Sequence, residues 1–255
     1  MALKTRVQSI ITTGFSGTII DIECHLSNNL PNIVIVGFAN KAVDEARERI
    51  RGAFATSRIM LPRKRITVNL APADIPKADS GFDLAIAVAI LAADGQVTHS
   101  ISRIDAFIGE LGLDGSTRAV RGIIGKILLG RAKGITNFYI PSANLKQAQL
   151  IPKVSLVPID NLTQLYLHLN VGQPLKTIAT GSGRYQFESV PHTKARVQLS
   201  EVVGQDLAKR ALQIAAAGGH NIFFSGPPGT GKSMLAKALQ SILPPLNREE
   251  ILEVT

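Results

Sequence analysis

Tryptophan is absent from these 255 residues, cysteine occurs once, and aromatic residues make up only 5%. The lone Cys24 excludes an internal disulfide and a cysteine-based metal cluster, and on its alternating segment it reads as a small buried hydrophobe. The five histidines are scattered without zinc-ligand spacing. The longest apolar run, Leu84 to Ala93, falls well short of the ~20 residues that span a bilayer. The N-terminal MALKTRVQSI lacks the uninterrupted apolar segment of a secretory signal. Together these absences predict a soluble, cytoplasmic protein with no membrane partner. With so few aromatics, the core must be built from Leu, Ile, Val and Ala, and a 45% apolar content supplies enough of them.

What charge there is lies unevenly. The net charge is +9, of which +6 falls on residues 1–170, +3 on 171–197 and none on 198–255. Arg58, Arg63, Lys64 and Arg65 contribute to the excess in the first segment. Such an excess suits either a polyanion such as DNA or a merely solvated basic face, and charge alone does not choose between them.

Residues 1–170 alternate between strand and helix patterns and predict an α/β domain with a mixed sheet. Ile20–Cys24 has period two, Asn32–Gly37 reads as a more buried strand, and Ile66, Val68 and Leu70 alternate. Val43, Ala46, Ile50, Ala53 and Phe54 share one helical face. Asp83 is placed to cap the apolar helix Leu84–Ala93. Ala106–Leu111 and Arg118–Val120 read as a hairpin around Asp114-Gly115. A helix over Ile123–Lys133, closed by Gly134, precedes strands at Thr136–Ile140 and Val154–Pro158, with helices near Ser142–Gln149 and Asn161–Leu169. Residues 171–197 lose this periodicity and read as a linker. From 198 to 255 order resumes: a helix over about Gln205–Ala217, a strand Asn221–Ser225, a glycine-rich loop, and a helix ended by Pro244-Pro245.

That loop reads Gly226-Pro227-Pro228-Gly229-Thr230-Gly231-Lys232-Ser233, the pattern G-x-x-x-x-G-K-[ST]. Its glycines let successive backbone N–H groups turn inward toward phosphate oxygens. Lys232 sets a positive charge against the β and γ phosphates of ATP, and the Ser233 hydroxyl is a ligand for Mg²⁺. Hydrolysis also needs an acidic strand that helps hold the metal, and no apolar strand ending in acidic residues follows among the 22 residues after Ser233. Glu249, Glu250 and Glu253 fall on a predicted helix, where a solvated face is the simpler reading. His220 reads as structural.

The run Val203-Gly-Gln-Asp206, then Ala215-Ala-Ala-Gly-Gly-His-Asn221, GPPGTGKSMLAKAL and ILPPLNREEILEVT resembles the magnesium-chelatase-like AAA+ ATPases. Leu30–Gly37, Ile66–Asp74 and Gly81–Leu84 resemble the leading domain of the YifB/ComM subfamily within them. The resemblance implies a hexameric, ATP-driven motor acting on DNA, with branch migration in natural transformation as the role of one branch, and places Val203 near the adenine. Because the acidic strand, sensors and arginine finger of the family have no counterpart, this chain is expected to be a truncated form that binds ATP without hydrolysing it. The alternative is a non-catalytic DNA-binding or assembly module. Residues 1–170 also resemble the proteolytic domain of Lon-type proteases: Gly109–Gly115 and Gly122–Pro141 match its hairpin–helix–strand segment. There Gly81 falls at the nucleophile position, beside Ser80, and Ile124 at the lysine position, two residues before Lys126, so a scaffold without peptidase chemistry is expected.

Overall fold

The computed structural model describes residues 6–13, 16–37, 41–75, 81–98, 100–170, 172–181 and 197–244. Pro76, Lys77, Ser80, most of the expected linker (182–196), Pro245, Glu249, Glu250 and Glu253 lie outside the described residues, as does the side chain of Val43. The chain divides into two compact units, Met1–Gly183 and Arg184–Thr255.

The first unit is built on an eight-stranded mixed sheet. Its strands are β1 (Arg6–Thr13), β2 (Ser16–Ser27), β3 (Asn32–Val36), β4 (Arg65–Ala71), β5 (Asp105–Phe107), β8 (Asn137–Pro141), β9 (Ser155–Ile159) and β10 (Ile178–Ala179), in the order β10-β9-β8-β5-β1-β2-β4-β3. β1 and β2 form a long antiparallel pair, with Gln8 opposite Asp21 and Ile10 opposite Ile19. β5, β8 and β9 run parallel to β1, and β3 runs parallel to β4. β10 falls within the stretch read as a linker, yet it pairs antiparallel with β9.

β1 was not legible as a strand. Val7, Ser9 and Ile11 face one side of the sheet and Ile10 the other, and all four are buried. A strand covered on both faces loses the apolar–polar alternation that marks a half-exposed one. The helices are α1 (Lys41–Thr56), α2 (Asp83–Ala93), α3 (Ile123–Ala132), the short α4 (Leu145–Ala148) and α5 (Leu162–Asn170). Apolar side chains of α1, α2 and α5 close a single core with Val7, Ile20, Ile33, Val68 and Tyr139. α3 covers the other face, where Gly130 lies so close to Ile10 and Phe138 that a Cβ would stand 2.6 and 2.7 Å from them. α2 is buried along nine consecutive residues, Asp83 to Leu91, as expected for a helix apolar all round.

Two expectations are corrected. Asp83 does not cap α2: it is the first helical residue, the N-cap is Phe82, and no side-chain cap bond forms. A capping side chain must stand outside the helix to reach the second or third amide. The carboxylate is instead turned to Arg49, which donates from Nε at 2.7 Å and from its second terminal nitrogen at 3.1 Å, and to the Leu111 amide at 3.1 Å. Burial pushes the Asp83 carboxyl up to about 6, while Arg49 and the amide pull it back. The hairpin is also shorter than expected. Ala106–Leu111 splits into β5 in the main sheet and β6 (Glu110–Leu111), which pairs with β7 (Thr117–Arg118). Asp114 accepts from the Ser116 amide and hydroxyl and fixes the turn, which keeps its exposed carboxyl below the usual range.

Candidate functional site

The second unit begins with a single 3₁₀ turn, Leu199–Glu201. Glu201 accepts from the Gln198 amide at 3.0 Å, and the Leu199 amide donates to Ser241 Oγ at 3.2 Å. Helix α6 (Asp206–Gly218) and helix α7 (Lys232–Ala238), continued by a 3₁₀ turn to Ser241, pack around Val202, Leu212, Leu235 and Ala238. Leu212, Ala215 and Ala216 fall on one face of α6, which is why that stretch forms an amphipathic helix. Gly219 ends it in a left-handed conformation, and the His220 amide closes its last turn on the Ala215 carbonyl at 2.9 Å. His220 therefore acts through its backbone, with its ring resting against Gly218.

The strand expected at Asn221–Ser225 does not form: residues 220–227 carry no regular secondary structure. Ile222 and Phe224 turn toward the small core while Phe223 is 89% exposed, so the alternation of a strand is present. A strand is made by its ladder, and among the described residues no strand pairs with this segment.

Gly226 to Ser233 then make a tight loop that opens α7. Gly229 and Gly231 adopt φ of +85° and +82°, a region closed to most side chains, and open space surrounds both. Lys232 folds back over the loop. Its Nζ donates to the carbonyls of Gly226 (2.8 Å) and Pro227 (2.6 Å) and lies 3.3 Å from Thr230 Oγ1. Thr230 Oγ1 in turn donates to the Pro227 carbonyl at 2.9 Å. The ammonium therefore sits at the centre of the curl, with all three of its protons directed at loop oxygens. Pro228 and Ser233 are exposed on the loop's surface.

Val203, expected beside the adenine, is also exposed, and its neighbour Gln205 reaches the loop: Gln205 Nε2 lies 3.5 Å from the Thr230 carbonyl. Gln205 holds φ at +57°, just before α6. It was missed as a site residue, although it lies within the Val203-Gly-Gln-Asp206 run that carries the resemblance. The loop's donor set fits a nucleotide phosphate: one ammonium, a curl of backbone, and one hydroxyl at Ser233 for a hard cation. Among the described residues no group of three His, Cys, Asp or Glu side chains is gathered as a ready-made metal site.

In the first unit, Lys126 and Ile124 are both buried on α3, while Gly81 accepts from the Gly109 amide at 2.9 Å. Among the described residues no helix is long and apolar enough to cross a membrane.

Comparison with known proteins agrees along the chain. The family described as subunit ChlI of Mg-chelatase matches residues 22–144, and that described as magnesium chelatase, subunit ChlI, matches residues 198–255. The YifB protein of Salmonella typhimurium is 41% identical over 240 residues, covering 94% of this chain and 46% of the relative. The competence protein ComM of Haemophilus influenzae is 40% identical over 250 residues, covering 97% of this chain and 48% of the relative. A shorter match, 42% over 71 residues, joins 28% of this chain to 11% of the archaeal Lon protease of Archaeoglobus fulgidus. The chain thus spans about half the length of the curated relatives it matches along most of its own length. It belongs to the YifB/ComM subfamily of magnesium-chelatase-like proteins.

Proposed function

We propose that this chain binds ATP with Mg²⁺ through Gly226–Ser233, and that the full-length form is a hexameric, ATP-driven DNA motor of the ComM type serving branch migration in natural transformation. The carrying observation is the loop itself, a glycine-built curl with the Lys232 ammonium at its centre. An entering phosphate competes with the Gly226 and Pro227 carbonyls for that ammonium. A charged oxygen forms the stronger hydrogen bond, so Lys232 transfers to it. Ser233 would then hold Mg²⁺, and Val203 would lie near the adenine, with Gln205 already beside the loop. The γ-phosphate bound there would supply the energy of the motor. The domains are then 1–170, a Lon-protease-like scaffold, and 198–255, the start of an AAA+ module, both acting in the cytoplasm.

A second reading, a DNA-binding or assembly module that needs no nucleotide, draws on the basic excess of the first segment. The two separate in one experiment on the full chain. Fluorescent-nucleotide binding is followed with Mg²⁺ present, in the parent and in Lys232→Ala. Binding that Lys232→Ala weakens is expected, and absence of nucleotide binding would favour the second reading.

A further inference from the structure

Residues 49–73 carry six cationic side chains and no acidic one. The fold sorts them into two sets. Arg49 and Arg51 are paired, with Asp83 and Glu48 respectively, whereas Arg58, Arg63, Lys64 and Arg65 are exposed where α1 hands over to β4. Among the described residues none of these four has an ion-pair partner.

They sit on a pinned ridge. The Ser57 amide donates to Ala53 and the Ile59 amide to Phe54, which folds the chain tightly off the end of α1. Arg58 holds φ at +54°, an uncommon conformation for a side chain of its size. Ile59 and Pro62 are buried as anchors, and Gln96 Nε2 donates to the Met60 carbonyl at 2.8 Å. Met60 itself is 74% exposed between the charges. Holding like charges together on fixed backbone is unfavourable for the isolated fold. Among the described residues no carboxylate offsets it.

Beside the ridge, against edge strand β3, runs a groove of about 300 Å³ lined by Asn32, Arg51, Leu61, Pro62 and Lys64. Its floor is made by the buried Ile33, Pro62 and Ile66, and Arg51 and Lys64 stand in its lining beside Asn32. Arg51 is held at one lip by Glu48 (3.3 Å) and Asn32 (3.1 Å). Apolar surface next to fixed cations suits a single nucleic-acid strand, whose phosphates meet the charges and whose unstacked bases meet the floor and Met60. A duplex keeps its bases stacked and hidden from such a floor.

We propose that the ridge Arg58–Arg65, with its groove, binds the sugar–phosphate backbone and bases of single-stranded DNA. This rests on the DNA reading above only for the identity of the polyanion; that the contact lies on the first unit comes from the ridge. The test uses the full chain and a fluorescein-labelled 30-nucleotide strand, with affinity read by anisotropy against salt. Replacing Arg58, Arg63 and Lys64 together by alanine should weaken binding at least tenfold. It should also lower the slope of log affinity against log salt by about 2, roughly 0.7 per lost phosphate contact. The charge-retaining set Arg58→Lys, Arg63→Lys, Lys64→Arg should bind within threefold of the parent, and ATP binding should be unchanged in both. Unchanged affinity in the alanine variant overturns the surface and leaves the DNA reading standing. A parent chain that binds no strand overturns both. A duplex of equal length bound as tightly as the strand overturns the role of the groove, and equal displacement by poly-glutamate assigns the ridge to an acidic protein.

Discussion

Replacing Arg49 by leucine isolates what the buried ion pair does for the first unit. Asp83 is 1% exposed at the head of the fully buried α2, and Arg49 meets it with two hydrogen bonds. Its pKa stands at about 6, raised from 3.8 chiefly by desolvation. Between those values the folded chain keeps a proton that the unfolded chain has released, so this group's contribution to stability falls as pH rises through that window. About two pH units correspond to roughly 3 kcal/mol of unrepaid burial above pH 6. Without Arg49 the carboxyl loses its main stabilising partner and its pKa climbs higher still. The variant's deficit therefore opens above about pH 6, reaching roughly 3–5 kcal/mol where Asp83 is ionised in both chains. Near pH 5 both carboxyls are protonated, and only lost packing and hydrogen bonding, about 1 kcal/mol, separates them. Amide exchange of the α2 peptide, as a variant-to-parent ratio at each pH, cancels the intrinsic pH dependence of exchange. The ratio should be near 5 at pH 5 and above 100 at pH 8. A ratio constant across that range would refute the reasoning.

Asn144 is buried, accepts from the Val120 amide at 2.9 Å and donates to the Val120 carbonyl at 3.0 Å. Asn144→Ala should cost about 2–3 kcal/mol in chemical denaturation of the first unit, because both backbone groups lose their partner, and a loss under 0.5 kcal/mol would contradict this. Cys24 lies half-buried on β2 opposite Val68, and burial pushes its thiol up to about 12. Iodoacetamide at pH 8 should leave it unmodified over hours in the folded chain and label it promptly in urea; prompt labelling without urea would contradict this.

Where burial is one-sided, local pattern and structure agree. Ile20 and Ile22, and Ile66, Val68 and Leu70, alternate because they are buried while the residues between them are only half-buried, and α6 shows its stripe for a similar reason. Where burial is two-sided, the pattern disappears, as in β1. Asp83 shows a different limit. An acidic residue before an apolar helix looks the same whether it caps or pairs, and its partner lies 34 residues away. The loop Gly226–Ser233 was legible because its backbone needs those residue types at those positions. The strand before it was legible as a pattern but not as a ladder, since pairing depends on a neighbour that local sequence does not contain. The basic excess was visible as a number, but only the fold separates Arg49, spent on Asp83, from the unpaired charges of the ridge.

The central claim is that the curl around Lys232 is a nucleotide-phosphate site. It is tested most directly by titrating a fluorescent ATP analogue, with Mg²⁺, into the parent chain and into Lys232→Ala. Removing one charge-assisted contact of about 1.5–3 kcal/mol should raise Kd roughly 10- to 100-fold, with the amide-exchange pattern of α6 unchanged. Equal affinity in the two chains would contradict the account.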